Sequence, residues 1–316
     1  MPIISSFNKH ISFLKSDIEK SLKKIPINNK PSYLYEPIHY IINGKGKRLR
    51  PILVHLSGHA YSADPEDMMK ASMAVELLHN FTLVHDDIMD NDNFRHGQLT
   101  VHKKWDEPTA ILSGDGVFIL SQLLLNGFPE IIHRRFNEVS LNICEGQGMD
   151  KEFEKDTSIS MGKYLIMIGK KTGALLGLCA ELGALLAGLK KDDAHILFEY
   201  GLNLGLAFQI QDDLLEIFGD ESSMGKSLGS DISKKKQTAL TILARDDNSQ
   251  KWLSFIDKYS TISDYQSYFD KNGIKDMVER SIEHYINKAN SALNSAPKSD
   301  KDHLRKFTTL ILKRKF

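Results

Sequence analysis

The chain has 316 residues, 41% hydrophobic and 26% charged, an ordinary globular composition with enough apolar material for a sizeable core. Lys plus Arg and Asp plus Glu number 41 each, so the formal net charge is zero, which excludes general attraction to nucleic acid or an anionic membrane as a basis for function. Electrostatic function must therefore be local. The two cysteines, Cys144 and Cys179, form neither a CxxC pair nor a disulfide framework and suit a reducing cytoplasm.

The opening stretch MPIISSFNKHISFLKSDIEK reads as an amphipathic helix and lacks the long apolar region and small-residue cleavage site of a secretory signal. Breakers cluster at residues 26–31, 44–51 and 91–97, each read as a loop. The second cluster, GKGKRLRP, gathers Lys45, Lys47, Arg48 and Arg50 around two glycines, a composition able to hold a diphosphate by charge-assisted hydrogen bonds, although it lacks Walker A spacing. In MKASMAVELLHNFTLVHDD, Met69, Met73, Leu77 and Phe81 step by four, which predicts a helix. That helix runs into Asp86, Asp87 and Asp90, where burial costs several kcal/mol per carboxylate unless cations compensate. An EF-hand reading of the following DNDNFRHG fails, because the Gly at loop position six and the Glu at twelve are missing.

After breakers at 127–129, Lys170 and Lys171 precede Thr172 and an apolar run, GALLGLCAELGALLAGL. This run falls short of the roughly 20 residues that span a bilayer and carries Glu181, so it predicts a buried helix with small residues for close packing and no transmembrane segment. FQIQDDLLEIFGD then places Asp212 and Glu216 one helical turn apart, as Asp86 and Asp90 are. A loop at 219–230 contains Lys226, and Lys234 to Lys236 follow. From about Arg245 the chain turns more polar, which predicts outer C-terminal helices (245–316) ending in the basic tail LKRKF. Strand signals are nearly absent and no linker or repeat stands out. The expectation is all-α: one domain over 1–316, a bundle of about ten or more helices with short loops.

Carboxylate pairs at this spacing present oxygens to a hard divalent cation such as Mg²⁺, which completes its shell with water and substrate phosphate. Either pair alone could be a solvated acidic face, and each cation alone a solvated surface charge. Two pairs, each after a mainly apolar turn and alternating with cations, point to one bound polyanion.

Taken in order, GKGKRLRP, HNFTLVHDDIMDNDNFRHG, AILSGD, EGQGMD, GKKTGALL, FQIQDDLLEIFGD and GKSLGSDISKKKQT resemble the signatures of the trans-type, head-to-tail prenyl diphosphate synthases. The resemblance covers about residues 44–238. It implies an isoprenoid synthase fold, a helical bundle around a deep central cavity, and a cytoplasmic homodimer that condenses isopentenyl diphosphate with allylic diphosphates. By the same resemblance Asp86 and Asp90 bind Mg²⁺ with Asp87 supporting, and Asp212, joined by Asp213 and Glu216, holds a further ion, giving three with substrate bound. Lys47, Arg50 and His79 hold isopentenyl diphosphate; Arg95, Lys171, Thr172, Gln209, Lys226 and Lys236 hold the allylic diphosphate; Gln147 supports the metal shell. The metal ions and cations stabilise the charge growing on the leaving diphosphate, so that Asp86, Asp87, Asp90, Lys171 and Asp212 carry the chemistry without a Ser, Cys or His nucleophile.

Departures from the pattern are specific. His96 stands where a second arginine is usual, and an ordinary histidine is only partly charged at neutral pH, so a weaker, pH-sensitive hold on isopentenyl diphosphate is expected. Glu216 replaces the commoner Asp, and Lys45 and Lys235 occupy usual glycine positions. Phe81 lies five residues before Asp86, about 7.5 Å along a helix, while small Thr82 lies four before it. An aromatic at the fifth position but not the fourth resembles archaeal-type geranylgeranyl diphosphate synthases, so a twenty-carbon product is expected, against the alternative that Phe81 only fills the core. Farnesyl or longer products, a terpene cyclase and a non-catalytic prenyltransferase subunit are the competing readings. The isopentenyl set and the presence of both acidic clusters count against the last two.

Overall fold

The helical spacing of apolar residues is realised almost throughout the chain. In a computed structural model describing residues 2–154, 156, 158–219, 229, 232, 236–259 and 261–312, the order is α1 (Pro2–Leu22), α2 (Ser32–Ile42), α3 (Leu49–Ala60), α4 (Pro65–Met89), β1 (Phe94–Arg95), β2 (Gln98–Leu99), α5 (Val101–Lys104), α6 (Glu107–Leu124), α7 (Glu130–Phe153) and α8 (Met161–Ile168). A π-helical turn, Gly169–Gly173, leads into α9 (Ala174–Leu186) and α10 (Lys191–Phe218). After these come α11 (Ala239–Asp247), α12 (Ser249–Ile256), α13 (Ile262–Lys271), α14 (Ile274–Ser295) and α15 (Asp302–Leu312). The all-α expectation holds. Among the described residues no helix is long and apolar enough to cross a membrane.

The chain divides into two compact units: Met1–Asn137, Cys179–Ala194 and Lys298–Lys306 in the first, Glu138–Leu178, His195–Pro297 and Phe307–Phe316 in the second. In the first, α4 packs most extensively against α6 and also against α3. Both ends of that pairing are set by caps. Asp64 accepts from the backbone N–H groups of Glu66 (2.9 Å) and Asp67 (3.2 Å) at the start of α4, and Asp106 accepts from Thr109 N–H (2.7 Å) at the start of α6. Each such cap is worth about 1 kcal/mol. Leu53 and Val54 of α3, Leu77 and Leu78 of α4 and Val117 of α6 are fully buried between them. The small residues of the apolar run serve close packing: a Cβ on Gly183 would lie 2.4 Å from the backbone nitrogen of Gly58. Glu181, conspicuous in that run, is 1% exposed and takes two contacts from the Arg135 guanidinium, at 2.8 and 2.9 Å.

In the second unit the polar segment after residue 245 hides an apolar face. Trp252, Phe255, Tyr268 and Phe269 are buried against Ile168, Ile210 and Leu240, and the Phe255 and Tyr268 ring centroids are 4.3 Å apart. Thr238 with Thr241, and Thr261 with Asp264, close capping boxes at the starts of α11 and α13.

Two local expectations are revised. The breaker-rich stretch 44–51 is already helical from Leu49, with Pro51 in the first turn, where its missing N–H costs nothing. Residues 91–97 are more than a loop: β1 and β2 pair antiparallel, Arg95 opposite Gln98, across a two-residue turn in which His96 and Gly97 both have positive φ (50° and 77°). That is the hairpin turn whose twist matches its strands.

Candidate functional site

The last two turns of α4 present the first acidic cluster. Asp90 caps the helix, its N–H donating to the Asp86 carbonyl at 2.8 Å, so helical spacing is kept through the pair and both carboxylates are half-buried. Asp87, one position round the helix, is buried (4% exposed) and turned to a different partner. The Arg95 guanidinium reaches its Oδ1 through Nε at 2.7 Å and Nη2 at 2.6 Å, with Asp92 4.0 Å from the same Nη2. Burial pushes the Asp87 carboxyl above its ordinary value, and Arg95 works against that shift. The hairpin thus returns a cation to the helix that needs one.

Of the basic stretch 44–51, the residue that turns inward is Arg48. It adopts a left-handed conformation (φ 55°) at the start of α3, is 6% exposed, and hydrogen-bonds the Glu76 carboxylate and the Gly44 carbonyl. Glu76 is 3% exposed, and removing one partner of such a buried pair costs about 3–5 kcal/mol. Arg48 is therefore structural, and Lys45 and Lys47 are exposed. Arg50 Nη1 lies 3.0 Å from His79 Nε2. A guanidinium only donates, so Nε2 accepts and the ring proton sits on Nδ1. Burial, then Arg50, Arg95, Arg48 and His96, hold His79 well below its ordinary pKa, leaving a neutral donor inside a cationic neighbourhood.

Phe81 is half-buried, its ring 5.0 Å from that of Phe118 on α6 and 4.7 Å from that of His85, centroid to centroid. Thr82 hydrogen-bonds back to the His79 carbonyl at 2.8 Å. The α4–α6 seam therefore carries an aromatic step below Asp86, with a small side chain next to it.

The second unit holds the remaining cations. Lys170, Lys171 and Thr172 lie on the π turn, a form that tends to mark functional positions because it rotates successive side chains off the α-helical register. Lys170 pairs with Glu145 and Lys171 with Asp150 at 2.6 Å. Gly146 lets α7 lie directly against the turn: a Cβ there would sit 2.4 Å from the Lys171 nitrogen. Thr172 donates to Gln209 Oε1 at 3.0 Å. On α10, Asp212 is half-buried and Glu216 is 8% exposed, one turn apart as expected, whereas Asp213 is 6% exposed and accepts three hydrogen bonds, from Tyr164 Oη (2.5 Å), Ala239 N–H (3.0 Å) and Gln209 Nε2 (3.2 Å). Gln147 is buried on α7 and Lys236 half-buried ahead of α11; Lys226, Lys235 and residues 313–316 of the basic tail lie outside the described residues.

Asp150 and Tyr164 were not singled out by sequence reasoning. Asp150 had a signal, as the last residue of EGQGMD three positions after Gln147; buried Tyr164 had none. Among the described residues no three His, Cys, Asp or Glu side chains converge into an all-protein metal cage. Two carboxylates per site, half-buried except for the buried Glu216, with phosphate oxygens supplied by substrate, match the way Mg²⁺ is usually held, and the oxygen-only donor set fits that ion.

The chain is similar to known proteins over most of its length. The family model described as polyprenyl synthetase matches residues 31–270. The geranylgeranyl diphosphate synthase of Sulfolobus acidocaldarius is 39% identical over 76% of this chain and 74% of its own. The crystal structure of geranylgeranyl pyrophosphate synthetase from Pyrococcus horikoshii superposes with a TM-score of 0.88 at 34% identity, covering 99% of both chains. That of a Caulobacter crescentus polyprenyl synthase complexed with calcium and isoprenyl diphosphate gives 0.87 at 26% identity, over 99% of this chain and 98% of its own.

Proposed function

The chain belongs to the polyprenyl synthetase family, a prenyl-transferring enzyme with its fold, and from that membership we propose that it elongates allylic diphosphates with isopentenyl diphosphate to a mainly twenty-carbon product. The observation that carries this reading is the recurrence of one device: a helical carboxylate pair one turn apart, Asp86 and Asp90 on α4, Asp212 and Glu216 on α10. Asp86, Asp90 and Asp212 hold Mg²⁺, three ions with substrate present, with Glu216 as a further ligand and Gln147 supporting the shell. Bound Mg²⁺ offsets the negative charge that develops on the leaving diphosphate.

The side chains divide the remaining work. Lys171, Thr172, Gln209, Arg95, Lys226 and Lys236 hold the allylic diphosphate, and Arg95 in addition keeps Asp87 charged-paired so that the α4 terminus stays ordered. Lys47, Arg50 and His79, with His96, hold isopentenyl diphosphate; neutral His79 contributes a hydrogen bond without competing for charge with Arg50. Ionisation leaves an allylic cation, the isopentenyl double bond attacks it, and the proton is lost to the departing diphosphate. Phe81 and Thr82 set where the growing tail stops. The whole chain acts as one catalytic domain in the cytoplasm. Homodimer formation is supported by the outward apolar residues of α6, Ile111, Leu112, Ile119 and Leu123, each 45–55% exposed.

Incubation with labelled isopentenyl diphosphate and dimethylallyl, geranyl or farnesyl diphosphate in Mg²⁺, followed by chromatography of the products, tests the reading. Geranylgeranyl diphosphate is expected from each primer. A cyclic hydrocarbon, or no incorporation of label, would defeat it.

A further inference from the structure

Two adjacent aspartates on a helix point about 100° apart, so Asp212 and Asp213 cannot do the same work. Asp212 shares its face with Glu216. Asp213 shares its face with Gln209, one turn earlier, and is the hub of a buried network. Its Oδ1 accepts from Gln209 Nε2 (3.2 Å), and its Oδ2 from both Tyr164 Oη (2.5 Å) and the backbone N–H of Ala239 (3.0 Å). Gln209, with its amide nitrogen thus committed, presents Oε1 to the Thr172 hydroxyl at 3.0 Å. The chain of contacts joins α8, α10, the first residue of α11 and the π turn that carries Lys171. Tyr164 is 2% exposed and Asp213 is 6% exposed. A carboxylate has about four lone-pair positions, and three of these are already spoken for by protein donors, two of them fixed by helix backbone or a buried ring.

We propose that Asp213 is a positioning residue and not a metal ligand, and that Tyr164 is the clamp that fixes it, the pair holding Gln209 against Thr172 and so setting the π turn that presents Lys171 to the allylic diphosphate. The inference rests on the proposed function for the identity of that substrate. Tyr164→Phe deletes one donor and leaves the ring in place. Asp213→Asn keeps the shape but turns one acceptor into a donor, which, with the amide oxygen kept on Tyr164 and Ala239, faces the Gln209 amide nitrogen.

The test uses the full chain with five proteins: wild type, Tyr164→Phe, Asp213→Asn, the Tyr164→Phe/Asp213→Asn double variant and Asp212→Asn. Affinity for a slowly ionising allylic thiodiphosphate is measured by titration calorimetry at saturating Mg²⁺, beside KM for both substrates, the Mg²⁺ concentration giving half-maximal rate, and the melting temperature as a check on folding. Tyr164→Phe and Asp213→Asn each weaken analogue affinity and raise allylic KM about tenfold, the size expected when one hydrogen bond to a charged group is lost. Both leave the isopentenyl KM and the Mg²⁺ midpoint within about twofold, and the double variant is no worse than Asp213→Asn alone, as members of one network behave. Asp212→Asn shifts the Mg²⁺ midpoint instead. An Asp213→Asn midpoint that moves with that of Asp212→Asn would overturn the proposal by making Asp213 a ligand. So would unchanged analogue affinity in Tyr164→Phe, or, should that protein not fold, in Asp213→Asn. A wild type that binds the analogue but transfers no prenyl group would remove the proposed function while leaving the network comparison readable.

Discussion

His55 makes stability depend on pH in a way that can be worked out in advance. It lies on α3, 4% exposed, and its Nε2 has no hydrogen-bond partner. Burial lowers its pKa from 6.5 to about 4, helped by His59 on the same helix and His10 on α1, with Asp17 of α1 pulling the other way. His303 stacks on His10, ring centroids 5.1 Å apart, which adds a further titratable group to the cluster. The neutral ring is the native form, so above pH 6.5 its contribution to stability is complete. As pH falls from 6.5 towards 4 the unfolded chain takes up the proton first, and stability drops by about 1.4 kcal/mol per unit. The total is about 3 kcal/mol, a large part of the roughly 5–15 kcal/mol that separates native from unfolded protein. Urea unfolding of the wild type and of His55→Phe at pH 7 and pH 4.5 isolates the effect, because titrations not coupled to His55 cancel in the difference. The wild type should lose about 2.5 kcal/mol more than the variant over that interval. Equal losses would show that His55 protonates as readily folded as unfolded, and the burial argument would fail.

Other expectations concern the site. Phe81→Ala removes the ring that leans on Phe118 and His85 and should lengthen the product beyond twenty carbons; an unchanged chromatogram means the tail never meets that wall. Gly146→Ala drives a methyl against the Lys171 backbone and should cost about 1–3 kcal/mol in denaturant unfolding while raising the allylic KM, whereas wild-type values for both would show that α7 can move aside. His96→Arg should lower the isopentenyl KM at pH 8 more than at pH 6, and a shift that is equal at both would end the idea of a pH-sensitive contact.

The helices were legible because burial imposes one period on the chain. Met69, Met73, Leu77 and Phe81 mark α4 without outside help, and the i, i+4 spacing of Asp86 with Asp90 needs only that helix. Features that depend on a neighbour's approach were not legible. The π turn lies where α7 approaches at Gly146, close enough that a Cβ would meet the Lys171 backbone, and nothing in GKKTG itself announces it. Among Lys45, Lys47, Arg48 and Arg50, charge alone could not tell which side chain goes inside; buried Glu76, contributed from α4, selects Arg48. The polar average after residue 245 concealed Trp252, Phe255, Tyr268 and Phe269, which come from two helices into one core cluster. The hairpin had a weak signal in His96-Gly97, two residues tolerant of positive φ, but its two-residue strands are too short to show alternation.

The most direct test of charge-stabilised ionisation is a single-turnover measurement with geranyl diphosphate and labelled isopentenyl diphosphate, comparing the wild type with Asp86→Asn/Asp90→Asn at saturating Mg²⁺. Loss of the pair should slow product formation by at least about a hundredfold, the scale on which removing preorganised transition-state stabilisation acts. A double variant that forms labelled product at the wild-type rate would contradict the account.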